Sequence, residues 1–204
     1  VPQAGCSQSR ASFLTGLYPH QNGQIGLATW KYSMYDEDTP NLVNDLKNAG
    51  YRTGIIGKLH VNPESAFDFN WKRIPGANFQ RNGMDRYAEY AYEFFKSSSP
   101  FYLQVNYPDA HRPFISQVNG LPEKTLKSSE VVPLPYMGVN SLKLREATAN
   151  YYNCMMRLDK LIGDLLSKLK ASGKYENTVI VYIGDHGADL LRGKRTSYEG
   201  GLRI

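Results

Sequence analysis

The segment TPNLVNDLKNAGYRTGIIGK, residues 39–58, sets the architecture that we expect for this chain. Thr39 and Pro40 begin a helical pattern of apolar residues, and Gly50 ends it, because glycine readily adopts the left-handed conformation that closes a helix. The short run YRTGIIGK follows at once and is typical of a strand. A helix that passes directly into a buried strand predicts an α/β fold.

The same order of helix and strand recurs twice further along the chain. An aromatic-rich helix predicted over about residues 86–96 precedes the strand PFYLQVNY, which ends at Pro108. An apolar stripe predicts a long helix over about residues 142–171, and the continuous apolar run NTVIVYIGDHG after it predicts a strand buried on both faces. We therefore expect a mostly parallel sheet sandwiched by helices.

Composition narrows the class of protein. The 204 residues are 41% hydrophobic and 21% charged, which is typical of a globular domain. The net charge of +5 is spread along the sequence, so it suggests anionic ligands and does not indicate nucleic acid. No run of about 18 apolar residues exists, so we expect no membrane span. The sequence begins with valine and has no signal-peptide pattern, and we expect a fragment that is incomplete at both ends.

Polar residues that can carry chemistry follow the predicted strands. In open α/β sheets, ligands bind beyond the carboxyl ends of the strands. Because neighbouring parallel strands end at the same edge, we expect these side chains to form an anion pocket with a pair of hard metal ligands. The motifs GKLH, PDAHRP and GDHG supply the following residues: Lys58, His60, Asp109, His111, Arg112, Asp185 and His186.

A second candidate feature is the motif GCSQSRASFLTG, residues 5–16, where Cys6 stands four residues before Arg10. A helix is predicted to begin at Ser9. A cysteine near a helix N-terminus and an arginine has a lowered pKa and can act as a nucleophile. The alternative is that Cys6 is a small buried hydrophobe, as most lone cysteines are. Cys154 falls on the apolar stripe of the long helix, and we expect it to be a core residue.

Taken together, the motifs resemble those of the type I sulfatases in the alkaline-phosphatase superfamily. CSQSRASFLTG is similar to the signature C-x-P-S-R followed by x-x-x-L-T-G, whose cysteine is oxidised to formylglycine. AGYRTGIIGKLH resembles the second signature, and GDHG with GKRTSYEGGLR resembles the metal-binding strand and the sulfate-binding lysine. Within the family, GLYPHQNGQIGL and GIIGKLHV most resemble the N-sulfoglucosamine sulfohydrolase (heparan N-sulfatase) branch.

The resemblance implies a nucleophile and a metal site. Cys6, as formylglycine, would be both nucleophile and metal ligand, and Arg10 would hold the hydrated aldehyde and the sulfate. One hydroxyl of the hydrate would attack sulfur, and the other would later collapse to the aldehyde and expel sulfate. Asp185 and His186 would bind the divalent cation, expected to be Ca²⁺ with Mg²⁺ or Mn²⁺ as alternatives.

The remaining implied roles concern the sulfate group and its leaving group. Lys58 and Lys194 would bind sulfate oxygens as point charges. His60 would act as a base in the breakdown of the hemiacetal, and His111 would protonate or hydrogen-bond the leaving group. Each role is one whose loss typically lowers the rate by about 10²–10³.

Three features depart from the family pattern. Gln8 stands where the signature has proline, although we expect conversion of Cys6 to occur. His186 stands where many sulfatases have asparagine. The family's first strand, with its pair of metal-binding aspartates, would precede Val1, and a smaller C-terminal domain would follow Ile204. Residues 1–204 are therefore expected to be part of a catalytic sulfatase domain that by itself is inactive and poorly stable.

The expected function of the complete protein is hydrolysis of sulfate esters or sulfamates of a sulfated glycan, with an N-sulfoglucosamine-type substrate favoured. Its partners would be the saccharide and a formylglycine-generating enzyme, in a periplasmic, secreted or lysosomal setting. Two alternatives remain open. One is a phosphodiester or phosphonate hydrolase of the same superfamily, and the other is a non-catalytic sulfated-glycan binder in which Gln8 blocks maturation and Cys6 stays a thiol.

Overall fold

The computed structural model describes residues 1–203. No helix in this range is long and apolar enough to cross a membrane. The chain forms three strands and six α-helices over these residues, in the following order: α1 Cys6–Thr15, α2 Pro19–Asn22, α3 Leu42–Asn48, β1 Arg52–Gly57, β2 Trp71–Arg73, α4 Arg86–Phe95, β3 Phe101–Asn106, α5 Leu142–Ala171 and α6 Glu199–Leu202.

The three strands form one parallel sheet in the order β2-β1-β3. Pairing of β1 with β3 runs from Arg52 opposite Phe101 to Gly57 opposite Asn106. Both strands end together, so the residues that follow them lie at one edge of the sheet. The predicted parallel α/β architecture is confirmed, and the added strand β2 was not predicted because three residues are too few to show a period of two.

The sheet separates two apolar clusters, because successive side chains of a strand point to opposite faces. Ile55 belongs to the cluster that contains Leu14 of α1 and Val43 of α3. Ile56 belongs to the cluster that contains Phe94 of α4 and Leu161 of α5. Helices therefore cover both faces of β1, as the continuous apolar run in its sequence predicts.

The ends of α5 match the sequence prediction, and the local chemistry explains why. Ser141 caps the helix, since its side-chain oxygen accepts a hydrogen bond from the backbone nitrogen of Leu144 at 3.3 Å. Lys168 and Lys170 lie in the last turn, where they face the negative end of the helix dipole. Gly173, with φ of 75°, turns the chain away.

Three expectations about elements need correction. α3 begins at Leu42 rather than at Thr39 and Pro40, because Asn41 caps it by accepting a hydrogen bond from the backbone nitrogen of Asn44 at 3.1 Å. α1 begins at Cys6 rather than Ser9, because Gly5 adopts the extended conformation of an N-cap. The run after residue 177 is not a strand in the described part of the chain. Val179 and Val181 of this run are 90% and 68% exposed. The apolar pattern indicates a segment suited to burial, but burial also requires a paired neighbour, and none of the three strands pairs with this segment.

Candidate active site

The N-terminus of α1 places Cys6 at the centre of the site. Gly5 precedes it in an extended conformation, and Cys6 is the first helical residue and 3% exposed. Its Sγ lies 3.1 Å from Nε2 of His186. Gln8, two residues further on, is buried and donates from Nε2 to the carbonyl of Ile25 at 3.2 Å. Cys6 is therefore buried, and its sulfur contacts a polar side chain.

Lys58 directly follows β1 and lies near Cys6 and Arg10. Its carbonyl accepts hydrogen bonds from Nη1 of Arg10 at 2.8 Å and from Nδ2 of Asn106 at 2.9 Å. Gly57, just before it, has φ of 89°, and a Cβ there would lie 2.3 Å from the carbonyl oxygen of Asn106. The backbone that carries Lys58 can therefore follow this path only with glycine at position 57.

Replacing Gly57 by alanine is expected to destabilise the protein more than replacing Gly50 by alanine. Both glycines have positive φ, but a Cβ at Gly50 would meet no atom within 4 Å. In G50A, the cost is only that of a left-handed backbone at a residue with a Cβ, roughly 1–2 kcal/mol of unfolding free energy. In G57A, the steric clash of the Cβ adds about 1–3 kcal/mol to that cost. Urea unfolding measures the difference, and equal losses would show that the Gly57 contact is relieved without cost.

Asp185 and His186 reach the site from the turn after the exposed apolar run. Nε of Arg10 donates to Oδ2 of Asp185 at 2.9 Å, so α1 holds this carboxylate in place. Nδ1 of His186 donates to the carbonyl of Gly187 at 2.8 Å, because a carbonyl can only accept. Nε2 is thus the atom directed toward Cys6, as in metal-binding histidines that are oriented by a backbone carbonyl.

The donor atoms of Cys6, Asp185 and His186 all lie within 4.8 Å of one another. This compact cluster of a carboxylate oxygen, an imidazole nitrogen and a sulfur fits a divalent cation. Hard cations such as Ca²⁺ and Mg²⁺ prefer oxygen ligands to sulfur. The residues therefore fit the family's metal better when position 6 offers the oxygens of a hydrated aldehyde than when it offers a thiol.

His111 and Lys194 form a second pair near the cluster. Nδ1 of His111 donates to the carbonyl of Arg112 at 2.7 Å, which leaves Nε2 to accept a hydrogen bond from Nζ of Lys194 at 2.9 Å. The backbone nitrogen of Lys194 is itself bonded to the carbonyl of Ala188 at 2.8 Å. The pair presents a cation and an imidazole to the cleft that Asp185 also lines.

His60 approaches Cys6 from β1. Its Nδ1 lies 3.3 Å from Oγ of Ser7, which accepts a hydrogen bond from the backbone nitrogen of Ala28 at 2.9 Å. The backbone of His60 has φ of 62°, an unusual conformation for a residue other than glycine. Such a conformation persists only when the surrounding structure imposes it, and it occurs most often at functional sites.

The surroundings of Cys6, Lys58 and His186 shift the pKa of each of these groups. Burial by itself raises the pKa of Cys6, but hydrogen bonds with His111, His186 and His60 and the charge of Lys58 together hold it far below its usual value. Burial lowers the pKa of Lys58. Burial also opposes the charge on His186, but the hydrogen bond with Cys6, the charges of Asp185 and Cys6 and the carbonyl of Gly187 together raise its pKa. The groups around position 6 therefore favour a negative charge there.

The structure brings together eight of the residues that the sequence indicates, namely Cys6, Arg10, Lys58, His60, His111, Asp185, His186 and Lys194. Asp109 and Arg112, which were expected in the same pocket, lie outside it. Asp109 is buried against two guanidinium groups, and Arg112 donates from Nε to the carbonyl of Asp189 at 2.8 Å. Sequence reasoning missed Phe79, whose ring stacks on that of His111 with centroids 4.5 Å apart. Phe79 lies in a loop without periodicity, so no pattern in the sequence could have indicated this contact.

The sequence of the chain is similar to those of known proteins along its whole length. The family model of the sulfatases, described as "Sulfatase", matches residues 1–204. The chain belongs to the sulfatase family. Human N-sulphoglucosamine sulphohydrolase is 33% identical over 96% of this sulfatase chain and 44% of its own length. An arylsulfatase of Clostridium perfringens is 24% identical over 98% of the chain and 57% of its own length. The chain thus spans about half the length of these relatives, and the family resemblance of its motifs is confirmed.

Solved structures confirm the sulfatase-type fold. A structure from work on the metabolism of multiple glycosaminoglycans by Bacteroides thetaiotaomicron superposes with a TM-score of 0.75 at 19% identity, covering 96% of this chain and 51% of its own. A protein crystallised with a neocarrahexaose superposes with a TM-score of 0.70 at 22% identity, covering 100% and 55%. At these identities the likeness concerns the fold, which is the alkaline-phosphatase-like α/β architecture predicted from the sequence.

Proposed function

We propose that the complete protein containing this chain hydrolyses the sulfate ester or sulfamate of a sulfated glycan, with an N-sulfoglucosamine-type substrate favoured. The observation that carries this proposal is the position of Cys6, whose Sγ lies 3.1 Å from His186 and within one ligand cluster with Asp185. Lysine and histidine side chains surround that cluster. Membership of the sulfatase family and the likeness to human N-sulphoglucosamine sulphohydrolase support the substrate class.

The nucleophile in this proposal derives from Cys6. A sulfatase-maturing enzyme would convert its side chain to formylglycine, whose hydrate supplies two hydroxyls on one carbon. Cys6 is held rigidly at the start of α1, with Ser7 bonded to Ala28 and Gln8 bonded to Ile25. The chain's contribution is to keep position 6 fixed beside positive charge, so that a hydroxyl can approach an anionic sulfur centre.

Positive groups would bind the sulfate oxygens. Lys58 and Lys194 both line the cleft, and their ammonium groups would act as point charges on sulfate. Arg10 is already engaged with Asp185 and with the carbonyl of Lys58. Its role therefore includes fixing the carboxylate and the strand end, in addition to the charge it contributes near the substrate.

Two imidazoles would handle protons on either side of the reacting group. His60, held by Ser7 at 3.3 Å, would accept a proton from position 6 when the sulfated hydrate breaks down. His111, whose Nε2 accepts a hydrogen bond from Nζ of Lys194 at 2.9 Å, would take a proton from Lys194 and pass it from Nε2 to the leaving oxygen or nitrogen of the glycan. Separate groups for the acid and the base allow both proton transfers within one site.

A cation would complete the site at Asp185, His186 and position 6, and we propose Ca²⁺, with Mg²⁺ or Mn²⁺ as alternatives. The bound cation would supply positive charge that stabilises the negative charge developing in the transition state. Residues 1–204 would form part of the catalytic domain of the longer protein. Its partners would be a sulfated saccharide and the sulfatase-maturing enzyme.

The proposal is tested with the complete protein produced together with a sulfatase-maturing enzyme. Mass spectrometry of the peptide ending at Arg10 is expected to show formylglycine in place of cysteine. The protein is expected to hydrolyse an aryl sulfate and N-sulfoglucosamine much faster than an aryl phosphodiester. Faster cleavage of the phosphodiester would instead identify a phosphodiesterase. An intact thiol, with saccharide binding but no turnover, would identify a glycan-binding protein.

A further inference from the structure

A buried ionic cluster lies behind His111 and has no role in the chemistry described above. It consists of Arg81, Asp109 and Arg157, whose side chains are fully buried. Nε of Arg81 donates to Oδ1 of Asp109 at 3.1 Å. Nε and Nη2 of Arg157 donate to the two oxygens of the same carboxylate at 2.7 and 3.0 Å. One carboxylate thus receives hydrogen bonds from two guanidinium groups.

The cluster contains one more positive charge than negative charge, so backbone carbonyls must offset the remainder. Nη1 of Arg157 donates to the carbonyls of Ile115 and Leu121 at 3.0 and 3.3 Å. Buried ion pairs contribute little net stability, because desolvation offsets most of the attraction. The cluster's clearest consequence is therefore geometric, since each guanidinium fixes several separate segments of chain around one point.

Arg81 fixes the segment that carries His111. Its Nη2 donates to the backbone carbonyl of His111, while its Nε donates to Asp109, two residues earlier. The backbone nitrogen of His111 donates to the carbonyl of Pro108 at 2.9 Å. Arg81 thus binds the turn after β3 at two points, Asp109 and His111.

Arg81 also fixes the aromatic ring that packs on His111. Its Nη1 donates to the carbonyl of Phe79. The Phe79 ring stacks on the imidazole with an interplanar angle of 25°, and Nζ of Lys58 lies 5.9 Å from the centroid of the Phe79 ring. Phe79 remains 41% exposed to the cleft. The imidazole therefore has one face covered, and its remaining contacts direct Nε2 toward Lys194.

We infer that Arg81 is a positioning residue for the leaving-group side of the site. Through the carbonyls of His111 and Phe79, it holds the imidazole and its stacked ring in one arrangement, so that Nε2 stays beside Nζ of Lys194, from which it would take the proton that it passes to the leaving group. This inference rests on the proposed function, because it concerns the step in which His111 gives a proton to the leaving group.

Arginine suits this task better than lysine. Its planar guanidinium donates in several fixed directions at once, whereas an ammonium on a flexible chain is a compact charge without that fork. Arg81 uses Nε, Nη1 and Nη2 for three different acceptors. The R81K variant keeps the buried charge opposite Asp109 but loses simultaneous contact with both backbone carbonyls, which separates the positioning role from the charge.

The test measures how rate depends on the leaving group in the complete, matured protein. A nitrophenyl sulfate has a good leaving group that needs little protonation, whereas N-sulfoglucosamine has a poor one. With R81K, kcat for N-sulfoglucosamine is expected to fall by about 10²-fold, the lower end of what general acid catalysis contributes. For the nitrophenyl sulfate, a fall of only a few-fold is expected.

Three further variants complete the design. F79L removes the stacked ring at a partly exposed position and is expected to reproduce the selective loss in weaker form. F79Y keeps an aromatic ring and is expected to restore the parent rates. R86K serves as the matched control, because Arg86 is an exposed arginine that packs over Tyr90, and no change in either substrate's kcat is expected.

Different outcomes test the positioning role of Arg81 and the proposed sulfatase activity on which it rests. Equal losses of kcat on both substrates with R81K would overturn the positioning role. If R81K does not fold, the absence of a selective loss with F79L would overturn it. A matured parent protein that cleaves neither sulfated substrate would contradict the proposed function itself, and the inference would fall with it. Selective loss on the poor leaving group, with rescue by F79Y, supports both.

Discussion

Replacing Cys6 by alanine is expected to abolish measurable sulfatase turnover by the complete protein. The substitution removes the atom from which the aldehyde is made, and no other nucleophile shares its contacts with His186 and Asp185 among residues 1–203. Loss of the nucleophile in enzymes that form covalent intermediates lowers kcat by roughly 10⁶-fold. Hydrolysis of an aryl sulfate at saturating substrate measures the effect, with thermal unfolding to confirm that C6A remains folded.

The second cysteine provides a matched control for this substitution. Cys154 is buried in α5, and burial raises the pKa of its thiol to about 11. A neutral thiol in the core is neither a nucleophile nor a substrate for maturation. C154A is therefore expected to retain turnover while losing some packing energy. Activity that survives in C6A, or that disappears only in C154A, would place the reactive group elsewhere in the molecule.

The sequence predicted the elements whose boundaries depend on local chemistry. The end of α3 follows from Gly50, and β1 follows from the apolar run between Arg52 and Gly57, whereas the start of α3 lies two residues beyond Pro40. α5 follows from a long apolar stripe between a capping serine and a terminal glycine. In each case the residues that begin or end the element are adjacent to it in the chain, so no knowledge of distant contacts is needed.

The run over residues 178–184 shows where such reasoning fails. Its composition satisfies every local criterion for a buried strand, yet Val179 and Val181 are exposed and no ladder forms within the described residues. A strand is stable only when it pairs with a neighbouring strand. The sequence of one strand does not predict which strand that neighbour is. β2 was missed for the opposite reason, since WKR lacks an apolar pattern but pairs with β1.

The candidate site shows the same division between local pattern and tertiary contact. Lys58, His111 and Asp185 were predicted to converge because each follows a run that reads as a strand, and parallel strands end at a common edge. The strands before Lys58 and His111 form, whereas the run before Asp185 forms no strand within residues 1–203. Asp185 nevertheless lies in the site, because Arg10 donates a hydrogen bond to its carboxylate. Arg81 escaped notice because a buried arginine in an irregular loop resembles an exposed one in sequence.

Removing the carboxylate of the buried cluster is expected to be the most destabilising change in the chain. Asp109→Ala leaves the guanidiniums of Arg81 and Arg157 facing each other without a counter-charge, at positions that water does not reach. Burial disfavours the charge on Arg157, and its bonds to Asp109 are what raise its pKa above the usual value. Breaking a buried ion pair by removing one partner costs about 3–5 kcal/mol.

Asp164 supplies the comparison that makes this result interpretable. Its carboxylate pairs with Lys160 one turn away on the exposed face of α5, and such i,i+4 pairs contribute only about 0.3–0.5 kcal/mol. Urea unfolding of D109A and D164A, followed by circular dichroism, is expected to separate the two by several kcal/mol. Similar midpoints for both variants would mean that the two arginines find other acceptors, and that Asp109 does not anchor the turn carrying His111. A large difference would show that the buried carboxylate of Asp109 is a main support of the fold.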